Sequence, residues 1–192
     1  MKLDVYDFDD TIYDGDSTAN FYLYCLKNKP SLVRYLPIQI WYFIKYKLKL
    51  VSKENFKEKF YMFFNGINNI DEYVKKFWNK NENKLRYELI KKTENQKYII
   101  SASPEFLLQE ICSRKLKDFK LIASKVNKNT GKLESKNCYG EEKVQRLKQE
   151  IKEDFKIENF FSDSMSDGFL AELSENSYLV KKKGKTEEWN KK

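Results

Sequence analysis

Apolar residues follow two patterns along this chain: short uninterrupted runs and longer stretches at helical spacing. The short runs predict buried strands of a parallel sheet, and they cover residues 3–8, 96–101, 121–123, 160–162 and 178–180. In the stretches between them, apolar side chains recur every three or four residues, which indicates amphipathic helices. Strands that alternate with helices predict an α/β chain built on a parallel sheet with right-handed crossovers.

The segment between the first two predicted strands is too long to be one crossover. Its pattern is helical from residue 18 to about residue 91, and Pro30, Pro37 and Gly66 divide it into separate helices. We therefore predict an all-helical cap over residues 14–91. Residues 1–13 and 92–192 are then expected to form the α/β core domain.

Small polar residues indicate where helices and turns begin. Ser17 is expected to cap the first helix of the cap. Ser103, followed by Pro104, is expected to cap the helix after the second strand. The tripeptide at 129–131, Asn-Thr-Gly, predicts the tip of a hairpin in a polar segment.

The net charge of +8 is concentrated in one part of the predicted cap. Residues 27–59 contain nine lysines and arginines but only two acidic residues, and they are also rich in aromatic side chains. A solvated helical face over an ordinary core is the interpretation that we favour. A positive surface that attracts anionic substrates or an acidic membrane is the alternative. The apolar stretch at 38–44 is too short to span a bilayer.

The composition narrows the compartment and the chemistry. Three scattered cysteines without CxxC spacing suggest reduced thiols, and the first residues lack a secretory signal pattern, so a cytoplasmic location is expected. The chain has no histidine. The absence of histidine excludes catalysis by Ser-His-Asp or Cys-His groups and zinc sites with histidine ligands. Acid–base catalysis by carboxylates is therefore more to be expected.

Polar side chains follow three of the predicted strands at their carboxyl ends, where ligands bind in parallel sheets. Asp7, Ser101 and Asp163 occupy these positions, and Asp9 lies on the same side of an extended backbone as Asp7. Carboxylates packed this closely repel one another unless a cation lies among them, and Mg²⁺ prefers such oxygen ligands. An Asp-x-Asp pair alone is more often a turn or a helix start.

Four short motifs, in order and with appropriate spacing, are similar to those of the haloacid dehalogenase (HAD) superfamily. The chain resembles the phosphoserine-phosphatase-like branch, subfamily IB, with a helical C1-type cap. The fold implied is a Rossmann-like doubly wound parallel sheet with an inserted all-helical cap. The motifs are Asp7-Phe8-Asp9-Asp10-Thr11, Ile99-Ile100-Ser101-Ala102-Ser103-Pro104, Gly140-Glu141-Glu142-Lys143 and Ser162-Asp163-Ser164-Met165-Ser166-Asp167.

The resemblance implies a phosphatase that uses Mg²⁺ and forms an aspartyl-phosphate on Asp7. Asp9 would be the general acid and base and would give its backbone carbonyl to the metal, while Asp163 would be a direct ligand. Ser101 and Lys143 would hold the phosphoryl group, with Asp167 as a supporting carboxylate. The remaining residues of the expected phosphate and substrate site are Asp10, Thr11, Asp16 and Ala102.

The substrate is narrowed only by exclusion. Phosphoserine phosphatases hold the substrate's amine and carboxylate with a glutamate and an arginine, where this chain has Asp16 and Phe60. We therefore expect a small phosphorylated metabolite other than phosphoserine, with a lipid head-group phosphate or a nucleotide still open. Transfer of the phosphoryl group to an alcohol and a non-catalytic basic binding module are the alternatives. No nucleic-acid partner is expected, and peripheral contact with an anionic membrane stays open.

Overall fold

The computed structural model describes residues 1–189, and in this range the centre of the fold is a six-stranded sheet in the order β3-β2-β1-β4-β5-β6. The first five strands pair in parallel, and β6 pairs antiparallel with β5. All five apolar runs are strands, which confirms the α/β prediction. The strands are Lys2–Tyr6 (β1), Gln96–Pro104 (β2), Phe119–Ser124 (β3), Lys156–Ser162 (β4), Ser174–Val180 (β5) and Thr186–Glu188 (β6).

In the described part of the chain, four helices and several short 3₁₀ turns lie between β1 and β2, and three further helices follow β2. The division into a cap at 14–91 and a core stays a prediction, and residues 190–192 of that predicted core lie outside the described residues. Within residues 1–189 no helix is long and apolar enough to cross a membrane. The helices are Ser17–Asn28 (α1), Leu36–Lys47 (α2), Lys53–Tyr61 (α3), Ile70–Asn81 (α4), Glu105–Lys115 (α5), Glu141–Glu150 (α6) and Gly168–Glu172 (α7).

Both faces of the sheet are covered by apolar side chains, as expected for a parallel sheet. Leu3 and Val5 of β1 belong to a core cluster that includes residues of α6 and α7. Tyr6 and Phe8 belong to a second cluster, which includes residues of α5 and of the helices inserted after β1. Successive side chains of β1 thus bury against opposite layers, and the strand is fixed in register at the middle of the molecule.

The position of β1 brings three strand ends to one edge of the sheet. Tyr6 pairs with Ile99 of β2 on one side and with Phe161 of β4 on the other. Directly after β1, the backbone N–H of Asp7 donates to the carbonyl of Phe161 at 2.8 Å. Residues that follow β1, β2 and β4 therefore lie side by side.

Two of the predicted helix caps are wrong. Asp16, and not Ser17, caps α1, because its Oδ1 accepts a hydrogen bond of 2.8 Å from the backbone N–H of Ala19. Ser103 does not cap α5: strand β2 continues to Pro104 and the helix begins at Glu105. The hydroxyl of Ser103 is bonded elsewhere, to the carboxylate of Asp9.

The turn predicted at residues 129–131 is present and lies against the inserted helices. Gly131 donates its backbone N–H to the carbonyl of Asn127 at 2.8 Å, and Val126 and Leu133 form an antiparallel bridge. Gly131 has a φ of +72°, and a β-carbon at this position would lie 2.4 Å from the carbonyl oxygen of Tyr61. The contact joins this turn to the end of α3 and leaves no room for a side chain.

We predict that Gly131→Ala destabilises the chain. Alanine disfavours the left-handed conformation at this position, and its β-carbon would also clash with the backbone. The free energy of unfolding, measured in urea titrations, should therefore fall by about 2 kcal/mol or more. Gly168→Ala is the matched control, because a β-carbon there meets no atom within 4 Å. Equal stability of the two variants would contradict the close approach at Gly131.

Candidate active site

A buried lysine joins two of the motif carboxylates at the carboxyl edge of the sheet. Lys143, in the first turn of α6, donates from Nζ to Oδ1 of Asp7 at 2.7 Å and to Oδ2 of Asp167 at 2.6 Å. All three side chains are almost inaccessible to solvent. Residues that are widely separated in sequence thus form one charged cluster beside the end of β1.

The cluster contains two carboxylates and one ammonium, and these groups shift one another's pKa values. Burial and the neighbouring Asp167 raise the pKa of Asp7 to about 6, although Lys143 opposes the shift. Burial alone would lower the pKa of Lys143, but Asp7 and Asp167 outweigh it and raise the pKa above its ordinary value. Asp167 also accepts from the Ser162 hydroxyl at 2.8 Å, and its Oδ1 is buried without a hydrogen-bond partner in the described part of the chain.

Asp9 is held from two sides. Its Oδ1 accepts from the backbone N–H of Ser17 at 2.6 Å, and its Oδ2 accepts from the Ser103 hydroxyl at 2.5 Å. Burial, followed by the charge of Asp16, raises the pKa of Asp9 to about 7. The start of α1 and the end of β2 therefore fix one carboxylate in orientation, and Ser103 is a site residue that the sequence led us to assign as a helix cap.

Asp163 follows β4 and is placed by its backbone. Its N–H donates to the Thr11 hydroxyl at 3.0 Å, and burial, Asp7 and Asp10 raise the pKa of its carboxyl to about 7. Thr11 was expected among the phosphate-binding residues, but it is fully buried and does not line the cavity described below. Its hydroxyl is used to position the loop of Asp163.

The sheet edge opens into a cavity of about 690 Å³. Its polar floor contains every predicted site residue except Thr11, and the facing wall, from α1, α2 and α3, is mainly apolar and aromatic. The floor is formed by Asp7, Asp9, Asp10, Asp16, Ser101, Ala102, Lys143, Asp163 and Asp167, and the wall includes Tyr22, Leu36, Ile40, Phe43, Phe56 and Phe60.

Two lysines of α3 also reach the cavity. Lys57 donates from Nζ to the Ala102 carbonyl and to Oδ1 of Asn137, both at 2.7 Å, and Lys53 lines the same wall. Burial, followed by the charge of Lys53, lowers the pKa of Lys57 to about 8. For Lys57 the interpretation as a solvated face is wrong, whereas Lys53 is half-buried on the wall. Their spacing of four residues on one helix was the available signal.

Arg86 is a further residue that the motifs did not reveal. It is buried and donates from Nη1 to the backbone carbonyls of Asp10 at 2.6 Å and Thr11 at 3.1 Å, and it also pairs with Asp14. Asp10 has a φ of +52°, a left-handed conformation uncommon for a residue with a side chain. Arg86 thus holds the loop after β1 in its turn.

The donor set at the floor fits a magnesium ion. Asp7, Asp9, Asp163 and Asp167 are four carboxylates, and Lys143 is the ammonium that contacts two of them. Over residues 1–189 no three acidic, histidine or cysteine side chains form a ready-made metal site. Two carboxylates with a backbone carbonyl are sufficient, since Mg²⁺ is commonly bound by one or two carboxylates together with water and substrate phosphate.

Two solved structures show a similar fold. A protein with unknown function from Bordetella pertussis Tohama I has a TM-score of 0.74 at 18% identity, with 89% of this chain and 86% of that chain covered. A phosphoserine phosphatase in apo form has a TM-score of 0.50 at 12% identity, with 92% and 84% covered. At such low identities the likeness concerns the fold. No curated protein matches the chain.

The haloacid dehalogenase-like hydrolase family matches residues 5–172. This range begins in β1, ends in α7 and contains all four motifs. It agrees with the Rossmann-like sheet, whose fold the two solved structures share. As its motifs predicted, the chain belongs to the haloacid dehalogenase-like hydrolase family.

Proposed function

We propose that this hydrolase removes phosphate from a phosphate monoester through an aspartyl-phosphate on Asp7. The observation that carries the proposal is the bridge from Lys143 to Asp7 and Asp167 on the floor of the cavity. Lys143 fixes one carboxylate oxygen and supplies positive charge where phosphate oxygens would lie. A carboxylate is an established nucleophile for phosphoryl groups, and the reaction depends mainly on positioning and charge stabilisation.

In the first step an oxygen of Asp7 bonds to phosphorus and the ester P–O bond breaks. Asp9 gives its proton to the departing alkoxide, which leaves as an alcohol. The hydrogen bonds from Ser17 and Ser103 keep the Asp9 carboxyl in one orientation at the cavity. Ser101, in the second half of β2, lies on the same floor, which supports a role in contacting the phosphoryl oxygens.

In the second step Asp9, now a carboxylate, takes a proton from water as the water oxygen attacks phosphorus. The bond between phosphorus and Asp7 breaks, which releases inorganic phosphate and restores both carboxyl groups. Asp7, Asp163 and the backbone carbonyl of Asp9 would hold Mg²⁺, which when bound offsets the negative charge of the carboxylates and the phosphate. Asp167 keeps Lys143 in place from the opposite side.

Phosphoserine stays disfavoured as the substrate. Asp16 uses one carboxylate oxygen to cap α1, and the Phe60 ring packs 5.0 Å from that of Tyr22, measured between centroids. Lys53 and Lys57 are the cations of the described wall, and a lysine binds an anion as a point charge without the two-point grip of an arginine. The proposed cap, residues 14–91, would select the substrate through this wall.

We predict that Asp7→Asn lowers phosphate release from an aryl phosphate by at least about a thousandfold, because the amide cannot serve as the nucleophile. Phosphate release with Mg²⁺ present is the measurement. Asp118→Asn, at an exposed position before β3 at the opposite end of the sheet, is the control and should keep full activity. Undiminished turnover by Asp7→Asn would overturn the mechanism. Product analysis with added alcohols separates hydrolysis from transfer.

We predict that Mg²⁺ raises the melting temperature of the chain and that Asp163→Asn removes most of this effect. At a concentration about 100 times Kd, a ligand of the native state contributes about 2.7 kcal/mol, or roughly 5–10 °C for a chain of this size. Without Mg²⁺, Asp163→Asn should be at least as stable as the wild type, since it removes a carboxylate from a repelling cluster.

Calorimetry with and without EDTA checks both parts of this prediction. Asp118→Asn should show the wild-type response to Mg²⁺. The same Mg²⁺-dependent rise in Asp163→Asn as in the wild type would remove Asp163 from the metal site without any reference to activity.

A further inference from the structure

Helix α2 buries a glutamine while several of its large apolar side chains are exposed. Gln39 is the residue of this helix that is buried, where its amide donates to the Phe60 carbonyl at 2.8 Å and its carbonyl accepts from the Tyr22 hydroxyl. Four of its large apolar side chains are exposed, with exposed fractions of 53% for Ile40, 55% for Trp41, 46% for Phe43 and 44% for Ile44, whereas its other large apolar side chains are half-buried. An apolar surface of this kind indicates a binding partner.

The turn after α2 extends this surface. Leu48 and Leu50 are 63% and 68% exposed and alternate with the exposed Lys47 and Lys49. The six residues Ile40, Trp41, Phe43, Ile44, Leu48 and Leu50 are called the α2 surface below.

The charged residues of the segment that carries the α2 surface have one sign. Residues 29–53 contain six lysines and arginines and no acidic residue. Lys45 lies 5.1 Å above the centre of the Trp41 ring, and Lys47 lies 5.4 Å above that of Phe43. Positive charge therefore borders the exposed apolar side chains, and the partner that this arrangement complements is both apolar and anionic.

The α2 surface is continuous with the active-site cavity. Ile40 and Phe43 are exposed to solvent and also line the cavity wall, whose floor holds Asp7 and Lys143. A substrate that enters past these two residues passes from an apolar entrance to a charged floor. This order suits a molecule with a phosphate at one end and an apolar group at the other.

We propose that the α2 surface docks on an anionic lipid bilayer and that the phosphate monoester cleaved is the head group of a membrane lipid. The substrate part rests on the proposed function. In the docked state the apolar side chains enter the boundary between head groups and acyl chains, and Lys45, Lys47 and Lys49 lie near anionic lipids. Docking of a second copy would bring two surfaces of the same positive charge together, which is unfavourable.

Cosedimentation with vesicles tests the docking. The wild type should bind phosphatidylcholine vesicles that contain phosphatidylglycerol, bind pure phosphatidylcholine vesicles far more weakly, and dissociate at high salt. Trp41→Ser with Ile44→Ser, and separately Lys45→Glu with Lys47→Glu, should each lower the partition coefficient about tenfold or more. Tyr87→Ser is the matched control, because Tyr87 is 51% exposed outside the α2 surface.

Activity with two substrates tests the lipid head group. Trp41 and Ile44 do not line the cavity, so their double variant should hydrolyse a soluble aryl phosphate at the wild-type rate but lose most of its activity on phosphatidic acid in anionic vesicles. The proposal is overturned if the wild type does not bind anionic vesicles. It is also overturned if the variant with Trp41→Ser and Ile44→Ser binds them as strongly as the wild type does. A wild-type dimer that the double variant disrupts, seen by sedimentation, would assign the surface to a second copy. If the wild type does not hydrolyse the aryl phosphate, the catalytic mechanism is refuted. Cosedimentation tests the docking independently of that result.

Discussion

The buried ammonium of Lys143 is the constraint on which the site depends. A buried charge without partners is strongly destabilising, so α6 must bring Lys143 to within hydrogen-bond distance of Asp7 and Asp167. Asp7 follows the central strand, and Asp167 precedes α7, so these contacts tie three elements to one edge of the sheet. The same contacts that satisfy the lysine also fix the carboxylate with which we propose the reaction begins.

One ammonium does not neutralise the surrounding carboxylates, and this excess of negative charge connects the fold to the chemistry. Burial raises the pKa values of Asp7, Asp9 and Asp163, because the charged form of a buried carboxyl group is disfavoured. Backbone and hydroxyl donors hold Asp9 and Asp163 in place in spite of the repulsion. This arrangement supports the proposed binding of a positive ion and of a phosphate.

The sequence predicted the site residues that lie at the carboxyl ends of strands. Asp7, Ser101 and Asp163 lie at or next to the carboxyl ends of apolar runs, and parallel strands bring such positions to one edge of the sheet. Side chains whose partners come from elsewhere in the chain were misassigned. Ser103 precedes a helix and was assigned as its cap, but its hydroxyl donates to Asp9. Lys57 lies in a basic segment and was assigned to a solvated face, but its ammonium donates to the Ala102 carbonyl in the second motif. Strand β6 has no apolar run to reveal it.

The exposed apolar side of α2 could not be predicted for the same reason. Periodicity shows that a helix has an apolar side, but it does not show whether that side packs against the rest of the protein or faces outward. In α2, Gln39 is held inside the protein by two hydrogen bonds of its amide, and Ile40, Trp41 and Ile44 of the same helix are exposed. A buried amide without partners would be costly, so the helix cannot rotate to hide its apolar side without breaking both bonds. The outward orientation is therefore a built property of the fold, and it places apolar side chains at the entrance of the cavity.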